Sequence, residues 1–320
     1  MAVFVTGGFS LTGRASDFTT EQWRVADIPL TSPVTYADPF QNVDVTATFT
    51  GPRDVVIVRP GFWDGTNTWR VRFAPTVVGQ WSMVTSCTDP SNSGLQGVTR
   101  TIQCNAYAGP YAIFQHGFLK VSPNGRYFTY ADGTPFIYLG DTHRLYIHER
   151  FQTSNVPGVA SEFQYTVDKR VAQGFTVFQS EAIHIPHGGI HTYADEDTHA
   201  DLTDGLTTAD LPGFWNIDQK FAYLADHGLF HANGFITWTG EPANNAIYTT
   251  NYMAKIGRYW AARYGAYPVL WTTAQELDPN VYGLYNSTTI GLWYAGARAV
   301  VTNDAYAQPL GVHMQSNGMA

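Results

Sequence analysis

The sequence predicts a chain in two parts: an N-terminal immunoglobulin-like β-sandwich, then a (β/α)8-type TIM barrel truncated after about five strands. Two observations carry this. Up to about residue 108, short alternating runs are separated by Pro and Gly, the mark of an all-β module. From Pro135 onward, strand-like runs alternate with helical ones that close on glycine, the mark of parallel βα units. The parts divide as 1–108 for the sandwich, 109–134 for a linking hairpin and 135–320 for the incomplete barrel.

In the first part, Val43–Phe49 alternates with period two and ends at Gly51-Pro52. Val55–Val58 is a short apolar run stopped by Pro60-Gly61. Asp64-Gly65 is a hairpin dipeptide before the alternating run Trp69–Phe73. Gly79–Val84 and Val98–Ile102 complete the set. Leu119–Val121 and Tyr127–Tyr130 flank a Pro-Asn-Gly turn and form the linking hairpin. In the last part, strands are expected at Phe136–Leu139, Phe175–Phe178, within Leu229–Trp238, at Val269–Thr272 and from Pro309 to His313. The intervening helices are expected at about Ala160–Ala172, Trp215–Asp226, Tyr252–Tyr264 and Thr289–Val300. Gly174, Gly228 and Gly265 stand where the first three helices stop.

Composition narrows the function classes. Hydrophobic residues are 44 % and charged residues 14 %, which excludes a disordered chain. The net charge is −8, and only Lys120, Lys169, Lys220 and Lys255 are lysines. A nucleic-acid partner, which needs a basic field, is therefore not expected. No 18-residue apolar stretch occurs, so no membrane span is expected. Aromatics reach 15 %, more than a minimal core requires, which points to carbohydrate as partner. Met1–Gly8 lacks the charged and apolar regions of a secretory signal; the expected location is nevertheless extracellular or surface-associated. Cys87 and Cys104 flank a polar, turn-rich stretch. A cross-hairpin disulfide, contributing about 3 kcal/mol for such a loop, and two buried free thiols are both open to them.

Several separate motifs carry a family resemblance. Phe49-Thr50-Gly51-Pro52, Gly61-Phe62-Trp63-Asp64-Gly65, Trp69–Pro75 and Gly79-Gln80-Trp81 resemble the β-sandwich often found before apiosidase-like glycoside hydrolases. Val121–Phe128, Asp132–Phe136 and Leu139-Gly140-Asp141-Thr142 resemble the start of that family's barrel. Arg170–Val177 and Arg263–Val269 extend the match. Two departures stand out. The later barrel strands of the family are missing, and His143-Arg144 replaces the Ala-Trp of many relatives. Continuation of the natural polypeptide is the favoured expectation, with cover of an open barrel edge by another chain, including a second copy, as the other.

Reactive groups in such barrels lie just past the carboxyl ends of strands. The resemblance places a catalytic acid/base carboxyl at the end of the fourth strand, where Gln275-Glu276 stands. Glu276 is the expected proton donor. Gln275 beside it is suited to holding a sugar 2-hydroxyl. Asp141, after the first strand, can grip sugar hydroxyls, orient a neighbouring Arg or His, or serve as a structural acid; His143 follows it. Glu181 ends the second strand, and Trp238 and Glu241 flank the third; all three are candidate substrate contacts. Tyr138, Tyr146 and Trp271 are candidate pocket walls. His184 and His187 lie near Glu181, but i,i+3 spacing on a proline-broken loop matches no zinc signature, so no metal and no cofactor is expected. The acidic stretch from Asp195 to Asp204 fits no calcium loop. The second carboxyl that hydrolysis needs usually comes from a strand near the seventh in barrels of this kind. The expected function is hydrolysis of a branched or plant-type polysaccharide; the alternative is a non-catalytic glycan-binding or assembly protein on the same fold.

Overall fold

A computed structural model describes residues 16–143, 149–180, 205–234, 246–275 and 287–313. The N-terminal region forms two sheets. The larger joins β1 (Phe18–Glu21), β8 (Thr99–Asn105), β7 (Gly79–Cys87), β3 (Val45–Thr50) and β4 (Val56–Pro60) in that order. The smaller joins β2 (Ala26–Thr31), β6 (Thr68–Phe73) and β5 (Phe62–Trp63). Side chains alternate between core and solvent along these strands. Val45, Ala47 and Phe49 are buried from β3, and Ile28 and Leu30 from β2. The sheets meet where Phe49 stacks on Phe73 at 3.8 Å and Phe73 meets Trp81 edge-on at 5.1 Å.

Of the two states open to the cysteines, the bridge does not form; Cys87 and Cys104 are free thiols. The antiparallel register explains it, because Cys104 pairs with Gly79, at the opposite end of β7 from Cys87. Eight residues of extended chain separate the two positions by about 27 Å, far beyond the roughly 7 Å a disulfide can span between Cα atoms.

Two short helices, α1 (Pro39–Asn42) and α2 (Ala112–Gln115), interrupt the N-terminal half. The linking hairpin pairs β9 (Lys120–Val121) with β10 (Phe128–Thr129). Beyond it lies a parallel sheet in sequential order: β11 (Gly140–His143), β12 (Val177–Ser180), β13 (Phe230–Gly234), β14 (Val269–Gln275) and β15 (Leu310–His313). Helices α3 (Glu162–Ala172), α4 (Leu211–Asp226), α5 (Thr250–Tyr264) and α6 (Ser287–Asn303) alternate with the strands.

The helices follow their local signals. Ser161 caps α3 by accepting from Gln164 N at 3.1 Å, and Thr249 caps α5 by accepting from Tyr252 N at 3.1 Å. Gly174 follows α3 at φ +80°, which a residue with a Cβ adopts only under strain. Leu211, Phe214, Ile217, Phe221 and Leu224 form the buried stripe of α4, which begins four residues earlier than the sequence suggested because Pro212 is tolerated in a first turn.

The first parallel strand is displaced from the expected Phe136–Leu139 to Gly140–His143. Phe136 N donates to Phe128 O and its ring packs edge-on against Phe230 at 5.3 Å, so this run leads in from the hairpin. The carbonyl of Leu139 accepts from Thr176 N and Val177 N, which starts the ladder one residue later.

One hydrophobic core runs from both N-terminal sheets into α4 and α5; a second cluster, with Ile113, Phe114, Leu119, Tyr130 and Phe136, covers Val177, Phe230 and Ala232. Buried charges tie the halves together. Arg72 of β6 and Arg263 of α5 both grip Asp218 of α4. Arg59 of β4 donates to the carbonyls of Ala261 and Ala262 at the end of α5. No helix of the described residues is long and apolar enough to cross a membrane.

Candidate active site

The five parallel strands end on the same side of the sheet, at His143, Ser180, Gly234, Gln275 and His313, with β14 and β15 running past the row that holds His143, Ser180 and Asn233. Glu181 and Glu276 come next in sequence after the second and fourth of these ends. Glu181, Trp238, Glu241, Glu276 and Tyr146 lie outside the described residues, as does the side chain of Gln275. The loop acids from Asp195 to Asp204, with His184 and His187, lie outside them too.

Register decides which side chains share a face. In a parallel ladder paired residues point the same way, so Asp141, Phe178 and His231 form one row and His143, Ser180, Asn233 and Trp271 the next. These rows face the helices. Phe178 packs against Phe163 of α3 at 5.7 Å, His231 against Phe221 of α4 at 4.3 Å, and Asn233 Oδ1 accepts from Trp260 Nε1 of α5 at 2.8 Å. Trp271, expected as a pocket wall, belongs here instead. Only 1 % of it is exposed, and its indole N–H donates to Asp304 at 2.9 Å. The opposite face carries Thr142, Gln179 and Thr272 toward the carboxyl ends, above the second hydrophobic cluster. Tyr138, half exposed, stands on that side, its hydroxyl 3.5 Å from Gln179 Oε1.

Asp141 and His143 therefore sit on the helix-facing side of the rim. Asp141 is in contact with an Arg and a His, as both its orienting and its structural role require. Arg170 Nε of α3 donates to Asp141 Oδ2 at 2.5 Å, and His143 Nε2 lies 3.2 Å from Asp141 Oδ1. His143 Nδ1 lies 3.1 Å from Glu149 Oε1, and its ring stacks on Phe178 at 4.5 Å. Burial alone would lower the His143 pKa. The hydrogen bond and charge of Glu149, with the charge of Asp141, outweigh that and hold it above the ordinary value. This imidazole thus keeps a proton more readily than a free one, hydrogen-bonded to Glu149 and close to the charge of Asp141.

His231 behaves in the opposite way. Burial pushes its pKa down to about 3, so it stays neutral, with Nε2 2.5 Å from Ser180 Oγ. It joins β12 to β13 and carries no charge at neutral pH. Arg170, Glu149 and His231 are site residues that the sequence does not mark as such. The only local signal was Arg170 in the last turn before the Gly174 stop, since the partners lie far apart along the chain.

The end of β14 is irregular. Trp271 and Thr272 pair with Leu310 and Gly311, yet Gln275 pairs with His313, so β14 holds one residue more than its partner. Thr273, in the extra stretch, is buried and donates its hydroxyl to Gly311 O at 3.0 Å. Such bulges re-aim side chains and are common beside active sites. This one directly precedes Gln275-Glu276. No group of three or more His, Cys, Asp or Glu side chains that could hold a metal occurs among the described residues.

The chain is similar in sequence and fold to known proteins. Residues 122–320 match the family model described as "Apiosidase-like, catalytic domain", and residues 19–88 match a model described as a domain of unknown function, DUF5060. A crystal structure of a protein from Bacteroides vulgatus ATCC 8482, described as a "putative glycoside hydrolase", is similar over 93 % of this chain and 56 % of its own, at 20 % identity and a TM-score of 0.68. A glycoside hydrolase family 5 structure from the same organism is similar over 64 % of this chain and 41 % of its own, at 20 % identity and a TM-score of 0.50. The chain thus spans about half the length of these structures, and the likeness is one of fold. No functionally curated protein matches the sequence.

Proposed function

The chain belongs to the apiosidase-like family, and on that premise we propose that it is a glycoside hydrolase acting on a branched or plant-type polysaccharide. The two packed N-terminal sheets are read as an immunoglobulin-like sandwich, and the parallel sheet as part of a (β/α)8 barrel whose rim holds the reaction. Such a substrate is too large to enter a cell, which favours an extracellular or surface location.

Glu276 is assigned as the general acid. The observation that carries the assignment is the family match together with the bulge that ends β14 one residue before it. The Glu276 carboxyl would protonate the departing glycosidic oxygen, while Gln275, neutral at any pH, would hold a neighbouring sugar hydroxyl. Asp141 is committed to Arg170 and His143 and is assigned a positioning role, not that of the partner carboxylate. Tyr138, with an exposed ring beside Gln179, is assigned to the wall that receives a sugar face.

The test is Glu276→Gln, assayed by reducing-sugar release from soluble arabinoxylan, arabinogalactan and rhamnogalacturonan. Hydrolysis of the glycan that the native protein cleaves should fall by about 10²–10⁴-fold, with binding nearly intact. Full activity of the variant on a poor leaving group would overturn the assignment.

A further inference from the structure

A cleft of about 640 Å³ lies between the β5–β6 turn and the first two turns of α4. Its size is that of a site for a small ligand or a few sugar units. Gly65, at φ +107°, lets the turn lie close on α4, where a Cβ would come within 2.9 Å of Leu211. We propose that this cleft is a second saccharide-binding site, taking a neutral sugar chain with the face of Trp215 as its platform.

Three observations lead there. Trp215 is 46 % exposed, unusual for so large an apolar ring, yet it is not loose. Its indole N–H donates to Asp64 Oδ1 at 2.9 Å. Asp64 is itself fixed by Arg70 Nε at 2.6 Å and by Arg263 Nη2 at 2.9 Å. A rigid, partly bare aromatic face is what the apolar side of a pyranose or furanose needs, since little entropy is lost on contact.

The second observation is charge balance. Asp27, Asp64 and Asp218 are matched by Arg70, Arg72 and, behind them, Arg263, all joined by ion pairs of 2.6–3.1 Å. Neither an anion nor a cation gains from such a surface. A polyhydroxylated neutral ligand does, because it can donate to the carboxylate of Asp27 and accept from the guanidinium of Arg70, the two part-exposed members that the buried ones hold in fixed directions. Thr66, Thr68 and Thr208 add hydroxyls of the same character.

The third is continuity. A neighbouring hollow of about 430 Å³ shares Thr66 and Thr208 with the cleft and extends past Trp63 toward Tyr36, so the surface is long enough for several sugar units. The first turn of α4 leads toward the carboxyl ends of the parallel strands, because helix and strand run in opposite directions in a βα unit. A glycan chain held at Trp215 therefore lies on the flank of the end where the rim stands. The argument rests on the cleft's own chemistry and holds whether or not Glu276 is the acid.

The test is the indole N–H resonance of Trp215, identified by its loss in Trp215→Phe, in the Glu276→Gln protein titrated with xylohexaose, mannohexaose, cellohexaose and, for contrast, hexagalacturonate. The resonance should shift with at least one neutral hexasaccharide. Trp215→Phe, which keeps a platform, should bind within about threefold, and Trp215→Ala at least about tenfold more weakly. Should the alanine variant fail to fold, Thr208→Trp, which fills the cleft from an exposed position, should weaken the same binding. A Trp215 signal unmoved by all neutral probes, or moved equally by hexagalacturonate, overturns the inference, even where the native protein cleaves glycans. A signal that moves while no glycan is ever cleaved supports it and defeats the catalytic reading alone.

Discussion

Arg72, on a strand of the N-terminal sheets, closes both Nη atoms on the two carboxylate oxygens of Asp218 in α4, at 3.0 and 2.6 Å. Arg263 of α5 takes the same oxygens from Nε and Nη2, at 2.8 and 2.7 Å. One carboxylate thus fastens three elements across the two halves of the chain. Asp218→Asn keeps the shape but leaves two buried guanidiniums facing an amide. The expected cost is about 3–5 kcal/mol, seen as a lower urea midpoint with little change in m-value.

The same carboxylate sets an acid limit. Burial would raise its pKa, but Arg263 and Arg72 prevail and hold it down to about 2. The unfolded value is about 3.9, so the folded state is favoured by this group above pH 4, and the advantage is lost as pH falls from 4 toward 2. About 2 kcal/mol is at stake. The stability difference between native protein and Asp218→Asn should therefore narrow across that window; a difference constant from pH 6 to pH 2 would contradict the assignment.

Arg59 is fully buried and spends its guanidinium on main-chain carbonyls, donating to Arg72 O at 3.0 Å, Ala261 O at 2.9 Å and Ala262 O at 3.2 Å. Arg59→Met fills much of the volume and strands these acceptors. A loss of about 3 kcal/mol is expected, measured by thermal unfolding. Arg59→Lys should recover only part of it, because a point charge on a flexible stem cannot span carbonyls from two directions.

The sequence carried the helices well and the site contacts poorly, for physical reasons. Caps at Ser161 and Thr249 and stops at Gly174 and Gly265 are local signals, and the helices begin and end within a few residues of them. The strand at Gly140–His143 was misplaced because its residues are polar, while the apolar run before it is spent on the second core cluster. The strand Ala26–Thr31 is masked in the sequence despite alternating Ala26, Ile28 and Leu30, since Pro29 sits inside it. Contacts such as Asp141 with Arg170, 29 residues apart, arise only when a strand and the helix after it pack together. The bulge before Glu276 leaves no mark in the residues that form it.

Free thiols give a direct chemical check. With Cys87 and Cys104 at opposite ends of one strand pairing, protein denatured without reductant should take up two alkyl groups per chain, read by intact mass. Cys104 is the slower of the two in the native state, since burial raises its thiol pKa to about 11 while Cys87 is only partly buried. A mass lower by two hydrogens and no alkylation would establish the bridge that the register forbids.

His143 offers a pH-dependent reading of the rim. Burial pulls its pKa down, but Glu149 and Asp141 pull harder, so the folded value lies above the ordinary one near 6.5. A group raised on folding contributes stability in full below its unfolded pKa and loses it as pH rises through the folded value. Glu149→Gln removes the strongest upward pull and leaves the burial, so the His143 ring-proton titration should move to lower pH. The native protein should then exceed the variant in stability by about 1 kcal/mol at pH 6 and by clearly less at pH 9. The same loosening should reach Arg170, because Asp141 accepts from Arg170 and meets His143 through its other oxygen. An unshifted His143 titration in Glu149→Gln would show that the contact at 3.1 Å does not hold the proton.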